Sequence, residues 1–210
     1  MINGIVCKYL DQIKVYDFET YLHCRRVARI SISIGQELSL EPSVLKTLYY
    51  SALLHDLGKV NIPRKILNCT YKLSDNEWKI IRQHPTAGAG ILQTDNIPED
   101  IIAGIRTHHE RWNGKGYPYS LAGENIPLAG RIIAVADALD AMTSARPYRR
   151  RPLSADEAVG EIQSLSGRQF DPYIACSLGD YIFQQEAVHF PKARSVISRR
   201  ALNRLPNGFI

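Results

Sequence analysis

The stretch LLHDLGKVNIP, Leu53 to Pro63, decides how this chain is read. An apolar helical run over residues 43 to 57 ends in His55 and Asp56, and Gly58 and Lys59 follow at once. Burying an imidazole, a carboxylate and an ammonium side by side is costly unless they find partners. A paired core histidine with a capping lysine is one answer. A metal ion is the other. The rest of the chain chooses between them.

On both sides of this stretch the sequence reads as helix after helix. Tyr21, Val27, Ile30 and Ile34 recur at helical spacing through residues 17 to 36, where Gly35 can end the run. Ser74 to Glu77 form a capping box that starts a helix running to His84, where Pro85 interrupts it. Residues 96 to 98 open a helix that reaches His108 and His109, and Pro127 opens another over Leu128 to Met142. Ser154 to Glu157 form a second capping box, and Asp171-Pro172 is a cap followed by a first-turn proline. No run of alternating β-branched residues with hairpin turns is present. Loops are expected over 60 to 73 and over ERWNGKGYPYSLAGENI, residues 110 to 126, whose Gly114, Gly116, Gly123 and Pro118 are too disruptive for a helix interior. The expectation is an all-α domain over residues 1 to 188, with 189 to 210 a basic tail or short helix.

Gross composition narrows the function classes. The 210 residues suffice for one full core. No apolar run approaches the roughly 18 residues of a membrane span, and the N-terminus has no charged-then-apolar leader pattern. The four cysteines, Cys7, Cys24, Cys69 and Cys176, are scattered with no C-x-x-C pair, which points to reduced thiols in a cytoplasmic protein. The formal charge of +5 is concentrated in RPYRRR, Arg146 to Arg151, and in the tail. It favours anionic partners but is too modest to indicate nucleic acid, and no membrane partner is expected.

The histidines answer the opening question. His23 lies one turn after Glu19 in the first helix, His55 sits beside Asp56, His84 precedes Pro85, and His108-His109 precede the glycine loop. A lone histidine in such a place is usually a satisfied core or capping residue. Histidines at successive helix ends, with His-Asp and His-His doublets, are instead placed to converge on one cavity of a bundle. RIIAVADALDAM adds Asp137 and Asp140 three apart on one face of an apolar helix, and buried acids call for cationic partners. For Asp140 a salt bridge to an arginine serves equally well.

His23, His55, Asp56, His84, His108, His109 and Asp137 outnumber the roughly six positions around one first-row cation, and Glu19 would add another. Two metals are therefore expected, with Glu19 leaving a third open. Each imidazole serves one metal, whereas a carboxylate can bridge, so His55 is assigned to one metal and Asp56 to the bridge. Mixed nitrogen and oxygen donors suit iron or manganese, with zinc or nickel less specifically matched, and argue against magnesium or calcium alone. Paired metals lower the pKa of a bridging water and bind phosphate oxygens, a device for phosphate-ester hydrolysis. Lys59, one turn beyond Asp56, can aim its ammonium at the same phosphate, or can simply serve as a cation at a helix end.

HDLGK, HPTAG, HHERWNGKGYP and IPLAGRIIAVADALDAMTSARPYR occur in that order between residues 55 and 149, within a likeness that spans about residues 15 to 185. In this the chain resembles the HD-GYP family of cyclic di-GMP phosphodiesterases, whose signature triplet is present as Gly116-Tyr117-Pro118. The resemblance implies an HD-domain helical core with additional helices, and a metal-bridged hydroxide that opens cyclic di-GMP to the linear dinucleotide pGpG, with GMP as a further product. It implies the metal ligands His23, His55, Asp56, His84, His108, His109 and Asp137, with Glu19 at a position that adds a third metal in some members. Gly116, Tyr117, Arg146 and Arg149 match substrate-binding positions, and Asp56 and Lys59 catalytic ones. Asn113 stands where aspartate is common and Ala145 where a polar residue is frequent; neither is a ligand position. A receiver or sensor domain often precedes the catalytic one in this family, and the chain has no room for it, so either a stand-alone enzyme or a piece of a longer protein is expected.

Trp112 and Tyr117 offer faces on which guanine can stack, although for Trp112 packing beneath the loop is the better reading. Rival functions are a non-catalytic module that binds a cyclic dinucleotide, a module that binds a diguanylate cyclase domain through the GYP loop, and the same chemistry on another cyclic dinucleotide such as cyclic GMP-AMP.

Overall fold

The computed structural model describes residues 2–144 and 151–178. Among these there is no β-strand, only isolated bridges such as Asn113 with Ala122. The all-α expectation holds. The tail 189–210 and the domain boundary at 188 lie outside the described residues.

The helices are α1 Ile2–Tyr16, α2 Phe18–Glu37, α3 Pro42–Leu54, α4 Arg64–Leu67, α5 Asp75–Ile81, α6 His84–Gln93, α7 Glu99–Thr107, α8 Leu128–Thr143 and α9 Ala155–Ser164, with residues 172–178 also helical. None of the helices is long and apolar enough to cross a membrane, among the described residues. Helix α2 packs on α3 and α8, and α7 on α3, α6 and α8. Leu54, Leu57, Ile102, Ile105, Ile132 and Ile133 fill the space between them, each less than 2% exposed. Both capping boxes form: the Ser74 and Ser154 hydroxyls accept from the Glu77 and Glu157 amides, and the two glutamates reach back to the cap amides. The Asp171 carboxylate accepts from the Tyr173 amide at 2.8 Å, as the Asp-Pro signal predicts.

Four local expectations need correction. The sequence reading marked no helix before residue 17, yet α1 forms and buries Val6, Tyr9 and Ile13, a spacing of three and four that carries an apolar face. Helix α3 stops at Leu54 rather than at residue 57; His55 caps it, and a 3-10 turn, Leu57–Asn61, follows. The run opened by Ser74 ends at Ile81, and Pro85 opens α6 instead of interrupting it, since a proline in the first turn loses no hydrogen bond. His84 is thus the first residue of a helix, not the last. The expected loop over 60 to 73 also holds the short helix α4.

Gly35 and Gly58 are present for close approach rather than to end helices. Helix α2 runs on to Glu37, and a Cβ on Gly35 would stand 2.6 Å from a Leu45 methyl. A Cβ on Gly58 would stand 2.0 Å from the His84 carbonyl oxygen and 2.6 Å from the Gly88 nitrogen. The backbone of the 3-10 turn therefore touches that of α6, and this contact sets the distance between Asp56 and His84.

Candidate metal centre

The ends of α3, α6 and α7 and the middles of α2 and α8 bring the sequence-selected histidines and acids into one buried cluster. His84, His108 and His109 form one set whose ligand atoms lie within 4.8 Å of one another; His23, His55 and Asp137 form a second. Asp56 stands between them. Its Oδ1 is 3.3 Å from His84 Nε2, and its Oδ2 is 3.3 Å from His55 Nε2 and 3.5 Å from His23 Nε2. One carboxylate oxygen thus faces each set, the position of a bridging ligand.

Neighbouring acceptors fix the tautomers. His55, His84 and His108 each place Nδ1 2.7–2.8 Å from the carbonyl oxygen three residues earlier, on Ala52, Ile81 and Ile105. A carbonyl only accepts, so Nδ1–H donates and the Nε2 lone pair points inward. His84 Nε2 and His108 Nε2 then face each other at 3.2 Å, two acceptors with no proton between them in these tautomers. His55 Nε2 is fully buried and has no hydrogen-bond partner. Inward lone pairs that repel or go unmatched are what a cation would satisfy, so the residues present fit a metal centre.

For His84, His108 and His109 the electrostatics agree, whereas for His55 burial lowers the ring but the Asp56 carboxylate outweighs it and holds it well above its usual value, so a cation there would displace its proton. Burial pushes His84 down to about 3 and His109 to about 4, and burial with the neighbouring imidazoles holds His108 well below its usual value. These rings are neutral and ready to ligate at pH 7. Burial opposes charge on Asp56 as well, but Lys59 and His55 hold its carboxyl well below the usual range. Asp137 is lowered too, against burial, chiefly by His23 at 3.1 Å.

Asp140 takes the arginine alternative. It accepts from Arg26 Nε at 2.6 Å and from His23 Nδ1–H at 2.7 Å, so it orients His23 from behind. Such partners tune a ligand without touching the metal. Asp140→Ala is expected to weaken metal binding about ten- to hundred-fold. Calorimetric titration of the metal-free protein checks this, and an unchanged affinity would remove Asp140 from the site.

Lys59 Nζ lies 2.6 Å from Asp56 Oδ2, on the bridge itself. Glu19 is exposed on the first turn of α2 and is in neither ligand set. Tyr117 stacks on His109, with ring centroids 4.9 Å apart, and its amide donates to the His109 carbonyl at 3.2 Å. Burial and the Asp56 and Asp137 carboxylates raise its phenol, which stays neutral. Gly116 does not use a positive φ; a Cβ there would meet the Arg111 nitrogen at 2.3 Å, so close packing is its reason. Asn113 accepts from the Lys115 amide at 3.1 Å within the loop. Trp112 is half-buried with Arg131 over its ring, in keeping with the packing reading. Arg146 and Arg149 lie outside the described residues.

Sequence reasoning missed Glu110. Its buried carboxylate accepts from the amides of Tyr119 at 2.7 Å and Leu121 at 3.1 Å and so shapes the GYP loop. An acid directly after His-His and before a glycine loop was the available signal. It also missed Cys24, whose buried thiol groups with His55 and Asp56.

A model of the HD domain family matches residues 11–174. A "Cyclic di-GMP phosphodiesterase" of Thermotoga maritima is 41% identical over 80% of this chain and 46% of its own length. A "3'3'-cGAMP-specific phosphodiesterase 2" of Vibrio cholerae is 34% identical over 80% of this chain and 32% of its own length. The chain thus spans less than half the length of these curated relatives. Among solved structures, a cyclic GMP-AMP phosphodiesterase of V. cholerae superposes with a TM-score of 0.67 at 23% identity, covering 90% of this chain and 50% of that one, which shows the fold.

Proposed function

The chain belongs to the HD domain family, and from that premise we propose that it is a metal-dependent phosphodiesterase that opens cyclic di-GMP to pGpG. The observation that carries this reading is the bridge: Asp56 presents one oxygen to His84 and the other to His23 and His55. Two divalent ions held by the two sets, iron or manganese by their donor chemistry, would supply Lewis-acid charge to the phosphate and lower the pKa of an attacking water. Glu19 has the side-chain type to serve a third, although its exposure supports two.

The chain's own residues do the rest. Asp137 and Asp56 are held ionised and so keep the centre's net charge low enough for an anionic substrate to leave again as product. Lys59, 23% exposed at its side chain, is the cation beside the bridge that can turn toward a phosphate oxygen. Tyr117 presents a flat neutral ring beside His109. Arg146 and Arg149 remain proposed substrate contacts on the sequence pattern alone. The four cysteines are free thiols, which supports a cytoplasmic setting. Tyr119, 52% exposed on the GYP loop, offers a surface for a diguanylate cyclase domain.

The relative named for cyclic GMP-AMP favours a second substrate with the same chemistry. Metal-free protein loaded anaerobically with Fe(II) or Mn(II) should take up two ions and convert cyclic di-GMP to pGpG, and chelation should end turnover. A higher kcat/KM for cyclic GMP-AMP would exchange the substrates. Tight binding without cleavage by the loaded protein would make the chain a binding module instead.

A further inference from the structure

A row of flat groups leads outward from the metal centre. His109 stacks on Tyr117. The Arg82 guanidinium lies 5.7 Å from the centre of the Tyr117 ring and 6.0 Å from that of Trp78. Trp78 and Arg82 are one helical turn apart and share a face. Trp78 is 45% exposed, and α5, which carries it, buries none of its residues. Core packing therefore does not account for a tryptophan there. Nor does an ion pair account for the arginine: among the described residues, every Lys or Arg pair with a carboxylate uses another cation.

We propose that Trp78 and Arg82 form an outer subsite for a purine base of the cyclic dinucleotide. A cyclic dinucleotide has two phosphodiesters and two bases. While one phosphate lies at the metals, a base can reach outward past Tyr117. There the indole offers a stacking face, and the guanidinium offers both a planar charge and donors for the acceptor edge of the base. Arg82 touches Tyr117 as well, so the subsite joins the GYP loop to α5. The subsite deepens the phosphodiesterase reading and rests on it.

The test uses the full metal-loaded chain. Cyclic di-GMP should quench the tryptophan fluorescence of the wild type. The quench should vanish in Trp78→Phe, which keeps a stacking ring and so keeps affinity. Trp78→Ala and Arg82→Ala should each raise KM about ten-fold, the size of one lost base stack, with kcat nearly unchanged. Arg82→Lys, which keeps charge but not the plane, should recover only part of the loss. Bis(p-nitrophenyl) phosphate, which has no purine, should be cleaved equally well by all variants. Equal losses on both substrates, an unchanged KM, or no quench at calorimetric saturation would each overturn the subsite. If the wild type cleaves the nitrophenyl ester but only binds cyclic di-GMP, the substrate assignment falls. The quench and its loss in Trp78→Phe then still decide the subsite.

Discussion

Asp56→Asn is expected to lower kcat by about four orders of magnitude, since in the proposed two-metal centre several kcal/mol of charge stabilisation at the transition state would go with the second ion. The amide keeps the volume and one acceptor oxygen. It loses the charge and replaces the other oxygen with an NH2 group, which cannot ligate. In the structure one carboxylate oxygen faces His84 and the other faces His55, His23 and Lys59. Asparagine can satisfy one side only. Metal analysis should therefore show the bound ions drop from two toward one. The fold should survive, because the His55, His84 and His108 rings keep their bonds to Ala52, Ile81 and Ile105. A variant that keeps two ions and substantial turnover would show that Asp56 does not bridge.

Gly58→Ala is expected to destabilise the fold by about 3 kcal/mol, at the upper end of what over-packing costs. A single methyl is the smallest addition possible. Here it meets the His84 carbonyl oxygen, the His84 carbonyl carbon and the Gly88 nitrogen at 2.0, 2.8 and 2.6 Å, all backbone atoms that cannot rotate away. Helix α6 must shift, and it carries His84. Because displacement by about 1 Å can cost about a hundred-fold in rate, activity should fall further than stability alone explains. Urea unfolding and kcat on the same sample check both parts. Wild-type stability with a wild-type rate would mean that the two backbones do not touch as described.

These two residues mark the two kinds of information in the chain. Asp56 was legible as a candidate bridge because its neighbour and its chemistry are local: an acid beside a histidine, in a chain with too many candidate ligands for one metal. Gly58 read as a helix stop, because nothing in LLHDLGK tells of the strand of backbone that lies against it. The capping boxes at Ser74 and Ser154 were legible for the same local reason, as their bonds span only three residues. Pro85 was misread because a proline that breaks one helix and a proline that opens the next look alike until the chain direction on each side is known. Asp140 was undecided between metal and arginine, and it pairs with Arg26, 114 residues away, while orienting His23.

By itself, then, the sequence determined the helical periods, the two capping boxes, the family motifs and which histidines and acids to look for as candidate ligands, all of which depend on side-chain type and short spacing. Only the tertiary structure decided which face of Asp56 meets which imidazole, which acid stands behind His23, and which ring lies beside Tyr117. Those outcomes are set by how α2, α6, α7 and α8 approach one another, and an approach between distant segments leaves no periodic mark in either of them.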